Sequence, residues 1–121
     1  MTAGRAIVLF GHGSRDPLWR LPMETVATRA RALAPGTSVR CAFLELEQPD
    51  LAAAVGELVA AGATQVSILP MFLGVGRHAR EDLPLLAAQL RASHPAVTFV
   101  LQPAIGEDHR VLELIARIAL E

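Results

Sequence analysis

The stretch Ala6-Ile-Val-Leu-Phe10-Gly11-His12-Gly13-Ser14-Arg15-Asp16-Pro17 decides the fold. Five consecutive apolar residues closed by a glycine read as a short strand buried on both faces. Asp16-Pro17 then supplies an N-cap followed by proline in the first helical turn. A helix is predicted from about Pro17 to Leu33, with Trp19, Met23, Val26, Ala30 and Leu33 at helical spacing and Pro22 as a point of delay or kinking. Pro35-Gly36 ends it.

The same strand-then-helix unit recurs three times. Val39–Leu44 is a second predicted strand, and Gln48-Pro49-Asp50 opens a helix with Leu51, Val55, Leu58 and Val59 on one face and Gly62 at its C-terminal cap. Gln65–Leu69 is the third strand, Pro70–Arg77 a glycine-containing loop, and Glu81–Ala92 a helix with Leu83, Leu86 and Leu90 inward. Val97–Leu101 is the fourth strand. Gly106-Glu107-Asp108 starts a last helix striped by Val111, Leu112, Ile115 and Ile118. Regular β-α alternation with short connections predicts a single three-layer α/β/α domain over residues 1–121, built on a four-stranded parallel sheet. The expected strand order is 2-1-3-4, and right-handed crossovers put the strand-to-helix loops along one edge.

Composition narrows the function. A chain of 121 residues with 52% apolar and only 4% aromatic residues builds its core from Ala, Leu, Val and Ile. A formal charge of −1 leaves no long-range field to attract nucleic acid or an anionic membrane. The 11 basic residues are all Arg, which excludes a Schiff-base lysine. Cys41, the single cysteine, falls inside the second strand and reads as a buried thiol. Five apolar residues after Met-Thr-Ala-Gly-Arg are too few for a signal or membrane span, so a cytoplasmic protein is expected.

Chemistry concentrates where two strands end. His12 follows the first strand, in a glycine-flanked turn able to aim backbone amides at an anion. His78 follows the third, in Leu73-Gly74-Val75-Gly76-Arg77-His78, a loop that also delivers Arg77 and Arg80. With strands one and three adjacent, both imidazoles reach the crevice at the carboxyl edge where open α/β sheets bind ligands. Imidazole suits borderline metals and proton transfer near neutral pH. Glu45 and Glu47 alternate at the end of the second strand, so a continued strand turns both toward the same crevice. His94 is expected at an exposed turn and His109 at the surface near the rim.

Gly11-His-Gly-Ser-Arg15, Ala42-Phe-Leu-Glu45, Pro70-Met-Phe-Leu-Gly-Val-Gly-Arg-His78 and Glu81-Asp-Leu-Pro84, in that order and spacing, resemble the short form of the CbiX/SirB sirohydrochlorin chelatases. The resemblance covers nearly the whole chain. It implies an ATP-independent enzyme that inserts Co²⁺ into sirohydrochlorin for cobalamin, or Fe²⁺ for siroheme, with no organic cofactor; the histidines also suit Ni²⁺. It implies that His12 is proton acceptor and metal ligand and that His78 is the second metal ligand. It further implies that Leu73–His78 contacts the tetrapyrrole, as do Glu45 and Gln48. Long members hold two such units, which implies a homodimer here. Arg15, Arg77 and Arg80 are suited to the substrate's carboxylates, and Leu73, Val75 and Trp19 to a macrocycle face. The chemistry agrees, because metal insertion displaces two pyrrole protons and a neutral imidazole can accept one. Two other readings use the same residues: a phosphate-handling enzyme with the His12 loop as anion cradle and Arg15 as ligand, and a non-catalytic carrier of metal or tetrapyrrole.

Overall fold

The structure, a computed structural model, describes residues 4–121. Residues 1–3, and with them part of the expectation about the amino terminus, lie outside the described residues. Strands β1 (Arg5–Gly11), β2 (Ser38–Phe43), β3 (Gln65–Pro70) and β4 (Thr98–Leu101) alternate with helices α1 (Leu21–Leu33), α2 (Leu51–Ala60), α3 (Arg77–Ser93) and α4 (His109–Ala119). All four strands are parallel, in the order β2-β1-β3-β4. That is the α/β sheet and strand order expected from the alternation.

Side-chain parity on the sheet builds two cores. Ala6, Val8 and Phe10 of β1, with Ala42, Val66, Ile68 and Phe99, pack against Leu51, Ala54, Val55 and Leu58 of α2 and Leu83 and Leu90 of α3. The opposite parity, Leu9, Val39, Cys41 and Phe43, packs against Met23 and Ala27 of α1. β1 lies in the middle and is buried on both sides, which is why its sequence lacks polar alternation. Phe10 pairs with Ala42 on one side and Pro70 on the other, so β1, β2 and β3 end flush at one edge.

Four element boundaries differ from the sequence reading, each for a local reason. Pro17–Arg20 forms a 3-10 turn, and α1 begins only at Leu21, with Pro22 in the first turn where its missing N–H costs nothing. β2 stops at Phe43 because Leu46, with φ of 67°, turns the chain out of the strand. α3 begins at Arg77 instead of Glu81: Gly76 is its N-cap and accepts the Arg80 amide at 3.1 Å. Its interior Pro84 forgoes one backbone bond. Gly106 and Glu107 belong to a second 3-10 turn, Ile105–Glu107, and the N-cap of α4 is Asp108, which accepts the Arg110 amide at 2.8 Å. Arg110 also holds the Asp108 carboxyl well below the usual carboxylate range.

Cys41 is 5% exposed between α1 and the sheet. Burial pushes its thiol up to about 11, with the nearby Glu24 carboxylate adding to the effect. A thiol held neutral by burial reacts slowly. Native protein at pH 8 is expected to resist alkylation for hours and to take up one equivalent of reagent at once in denaturant, read by mass spectrometry. Fast native labelling would place Cys41 at the surface. The raised value also means that stability is unaffected below the unfolded thiol's pKa, about 8.5, and falls as pH rises above it, because only the unfolded chain then ionises readily.

Candidate active site

The loops leaving β1 and β2 stay hydrogen-bonded beyond the sheet. Leu44 N–H donates to Gly11 O at 2.9 Å and Glu45 N–H to His12 O at 3.1 Å. Gly13, at φ of 99°, lies so close that a Cβ there would fall 1.8 Å from the Glu45 carbonyl oxygen. Only glycine fits both the angle and the space. This approach brings the His12 and Glu45 side chains together, with His12 Nε2 3.0 Å from Glu45 Oε1. The pair is about half exposed (56% and 55%). An exposed pair of this kind contributes about 0–1 kcal/mol to stability, so its effect is on the orientation of the imidazole.

Glu45 and Glu47 do not share a face, contrary to the expectation from a continued strand. The turn at Leu46 sends Glu47 inward, where it is 10% exposed. Its Oε2 accepts the Ser14 amide at 3.0 Å, and its Oε1 lies 3.9 Å from Arg20 Nη1. Arg20 in turn sits 4.6 Å over the Phe43 ring, donates to Gln48 O at 3.2 Å and pairs with Glu24 at 2.8 Å. Glu47 and Arg20 thus brace the His12 loop from behind. Gln48 enters the same brace through its carbonyl and is not among the cavity residues. Sequence reasoning missed Arg20 because nothing local distinguishes it from a surface helix residue.

His78 lies in the first turn of α3, and it lines the same cavity as His12. The cavity, about 280 Å³, has walls of Phe10, Leu44, Phe72, Leu83 and Leu86, and polar groups from His12, Arg77, His78 and Asp82. Gly74 and Gly76 complete it. Asp82, one helical turn after His78, was not anticipated; the i, i+4 spacing was the available signal. Val75 and Arg80 line a neighbouring cleft with Leu101 and Glu107. Arg15, Trp19 and Leu73 are exposed and outside the cavity.

The β4–α4 connection also reaches this edge. Gly106 N–H donates to Phe72 O at 3.0 Å, and a Cβ on Gly106 would fall 1.6 Å from Leu73 O. His109 is exposed at the start of α4, as expected. His94 is a correction: it caps α3, is half-buried, and its ring lies 6.2 Å from that of Phe99. Among the described residues no group of three or more His, Cys, Asp or Glu side chains is arranged to hold a metal ion, and no helix is long and apolar enough to cross a membrane.

A parallel α/β unit thus carries two imidazoles, one of them carboxylate-paired, on an apolar hollow at the carboxyl edge of its sheet. The chain belongs to the CbiX family, whose model matches residues 6–121. It is 29% identical to the sirohydrochlorin cobaltochelatase of Priestia megaterium over 111 residues, which are 92% of this chain and 36% of that protein. It is 28% identical to the sirohydrochlorin ferrochelatase of Bacillus subtilis, again over 92% of this chain but 42% of that protein. The chain therefore spans less than half the length of these relatives. Among solved structures, a CbiX protein from Marinobacter aquaeolei VT8 superposes with a TM-score of 0.81 at 33% identity, covering 96% of this chain and 93% of that one. The sirohydrochlorin chelatase SirB from Bacillus subtilis subspecies spizizenii, solved in complex with cobalt, gives 0.80 at 25% identity, with 96% and 50% covered.

The close approach at Gly13 is testable by stability alone. Gly13→Ala is expected to cost about 2–4 kcal/mol, from the strained angle and the displaced Glu45 carbonyl together, and to lower Tm by roughly 10 °C. An unchanged melting temperature would mean that the two loops are not locked together.

Proposed function

We propose that this chain inserts Co²⁺ into sirohydrochlorin without ATP, as a step of cobalamin synthesis. The observation that carries the reading is the presence of His12 and His78 on one apolar cavity, with Glu45 3.0 Å from His12. The reaction is redox-neutral: a divalent ion enters the macrocycle and two pyrrole protons leave. With Glu45 Oε1 3.0 Å from Nε2, the His12 tautomer protonated at Nε2 is favoured in this proposal, which keeps the lone pair on Nδ1 for a pyrrole proton. The imidazolium so formed is stabilised by the Glu45 carboxylate, and the proton passes on to solvent, to which both groups are open. His78 and the same His12 nitrogen hold the incoming metal first; as the ion moves to the macrocycle nitrogens the His12 lone pair is freed for one pyrrole proton, and the second proton leaves to solvent. The apolar walls, Phe72 and Leu44 among them, take a macrocycle face, Arg77 at the rim takes a substrate carboxylate, and Arg15 and Arg80 lie farther out for others.

Iron is the second reading, supported by the similarity to the Bacillus subtilis ferrochelatase. Imidazole and carboxylate donors accept either ion. Cobalt takes precedence from the similarity to the Priestia cobaltochelatase; SirB structures hold cobalt in one case and Fe³⁺ in another and favour neither ion.

A second copy completes the site in this proposal. At about 280 Å³ the cavity falls just short of the roughly 300–1,000 Å³ typical of small-molecule sites, and a tetrapyrrole is a large ligand. Facing walls from a homodimer supply the remainder.

Absorbance spectroscopy of sirohydrochlorin with Co²⁺, and in parallel with Fe²⁺ and Ni²⁺, tests the proposal. Protein is expected to accelerate Co²⁺ insertion well above the spontaneous rate. His12→Ala should lose about 10²–10⁴-fold and Glu45→Gln about 10–100-fold, both with native circular dichroism. Binding of metal or tetrapyrrole with no acceleration would make the protein a carrier, and hydrolysis of a phosphate ester abolished by His12→Ala would make it a phosphatase.

A further inference from the structure

α3 lays one row of side chains, His78, Asp82 and Leu86, along the cavity wall at four-residue spacing. Among the described residues Asp82 is the only carboxylate on that wall. Helix formation does not call for it. Asp82 is the sixth residue of α3, beyond the first turn where an acidic side chain gains from the helix dipole, and aspartate is a poor residue for a helix interior. Charge pairing does not call for it either. Its neighbour Glu81 is bonded to Arg77 at 3.2 Å, Glu45 lies against His12, and Glu47 is engaged by the Ser14 amide and Arg20. Asp82 makes no hydrogen bond or ion pair with any described residue, and it is exposed to solvent while lining the cavity.

A dication entering this cavity meets an electrostatic obstacle. Neutral imidazoles are good final donors but exert no long-range pull on a hydrated ion, and the Arg77 guanidinium on the same wall repels it. A free carboxylate beside the second histidine offsets that repulsion. Residues four apart on a helix have Cβ atoms about 5–6 Å apart. At that spacing one helix face can offer two donors to a single ion.

We propose that Asp82 is the metal-loading residue of this site: it takes the hydrated divalent ion from solvent and holds it with His78 until His12 displaces the carboxylate. The proposal rests on the chelatase reading above and adds to it a step ahead of the two-histidine site. That step is ligand exchange alone, in which waters leave the ion and no proton or electron is transferred. Asp82 and His78 form a pair and not a three-donor cage. The ion therefore keeps most of its waters at this stage and passes on to His12 without having to leave a closed coordination shell.

The test compares the full wild-type chain with Asp82→Asn and with Glu113→Gln, which removes the same charge from α4. Calorimetric titration with CoCl₂, without tetrapyrrole, is expected to show binding weakened about tenfold in Asp82→Asn and unchanged in Glu113→Gln. In the insertion assay the KM for Co²⁺ should rise by a similar factor in Asp82→Asn, with kcat and the KM for sirohydrochlorin unchanged. Wild-type Co²⁺ binding and kinetics in Asp82→Asn would overturn the proposal and leave the chelatase reading standing. A fall in kcat at unchanged KM for Co²⁺ would also overturn it, because Asp82 would then act after loading. Equal weakening in Glu113→Gln would reduce the effect to net charge and overturn it too. Weakened Co²⁺ binding confined to Asp82→Asn, in a protein that does not accelerate insertion, would uphold the loading pair and remove the chelatase reading.

Discussion

Two backbone hydrogen bonds that outlast the sheet, Leu44 to Gly11 and Glu45 to His12, are the constraint on which the site depends. Each contributes only about 1 kcal/mol net. Their value lies in geometry: they force the β1 and β2 loops to travel together past the strand ends, and they do so only because Gly13 lacks a side chain at the point of closest approach. The imidazole of His12 and the carboxylate of Glu45 then meet as a consequence of main-chain register, with no long-range electrostatics required.

The two carboxylates of the β2 loop divide their duties by burial. Glu45 is half exposed and 3.0 Å from the His12 imidazole, so under the proposed function its influence falls on proton transfer. Glu47 is almost enclosed, satisfied by the Ser14 amide and faced by Arg20, so its influence falls on holding the loop still. A rigid support behind a mobile proton is what general-base chemistry asks of a scaffold. The early start of α3 completes the arrangement from the other side, since capping by Gly76 puts His78 and Asp82 on successive turns of one helix instead of in a loose loop.

Strand order, the parallel sheet and the shared crevice were legible in the sequence, because buried strands and strand-to-helix punctuation are local signals and the rest follows from chain-topology rules. Adjacency of β1 and β3 was enough to bring His12 and His78 to one edge. The divergence of Glu45 and Glu47 was not legible, because it turns on one residue, Leu46, taking a left-handed conformation that leucine rarely adopts. Arg20 escaped for a different reason: its partners Phe43, Glu47 and Gln48 lie more than twenty residues away, beyond any periodicity. The α4 stripe was read correctly as amphipathic, but its exposure was not legible, because amphipathicity says that a helix needs a partner and not where that partner lies.

A crystal structure of the protein grown with Co²⁺ bears most directly on the central claim. The expected result is one ion with a nitrogen from each of His12 and His78 at about 2.1 Å, facing the cavity bounded by Phe72 and Leu44. An ion bound elsewhere, or held by one of these imidazoles while the other points away, would contradict the shared site.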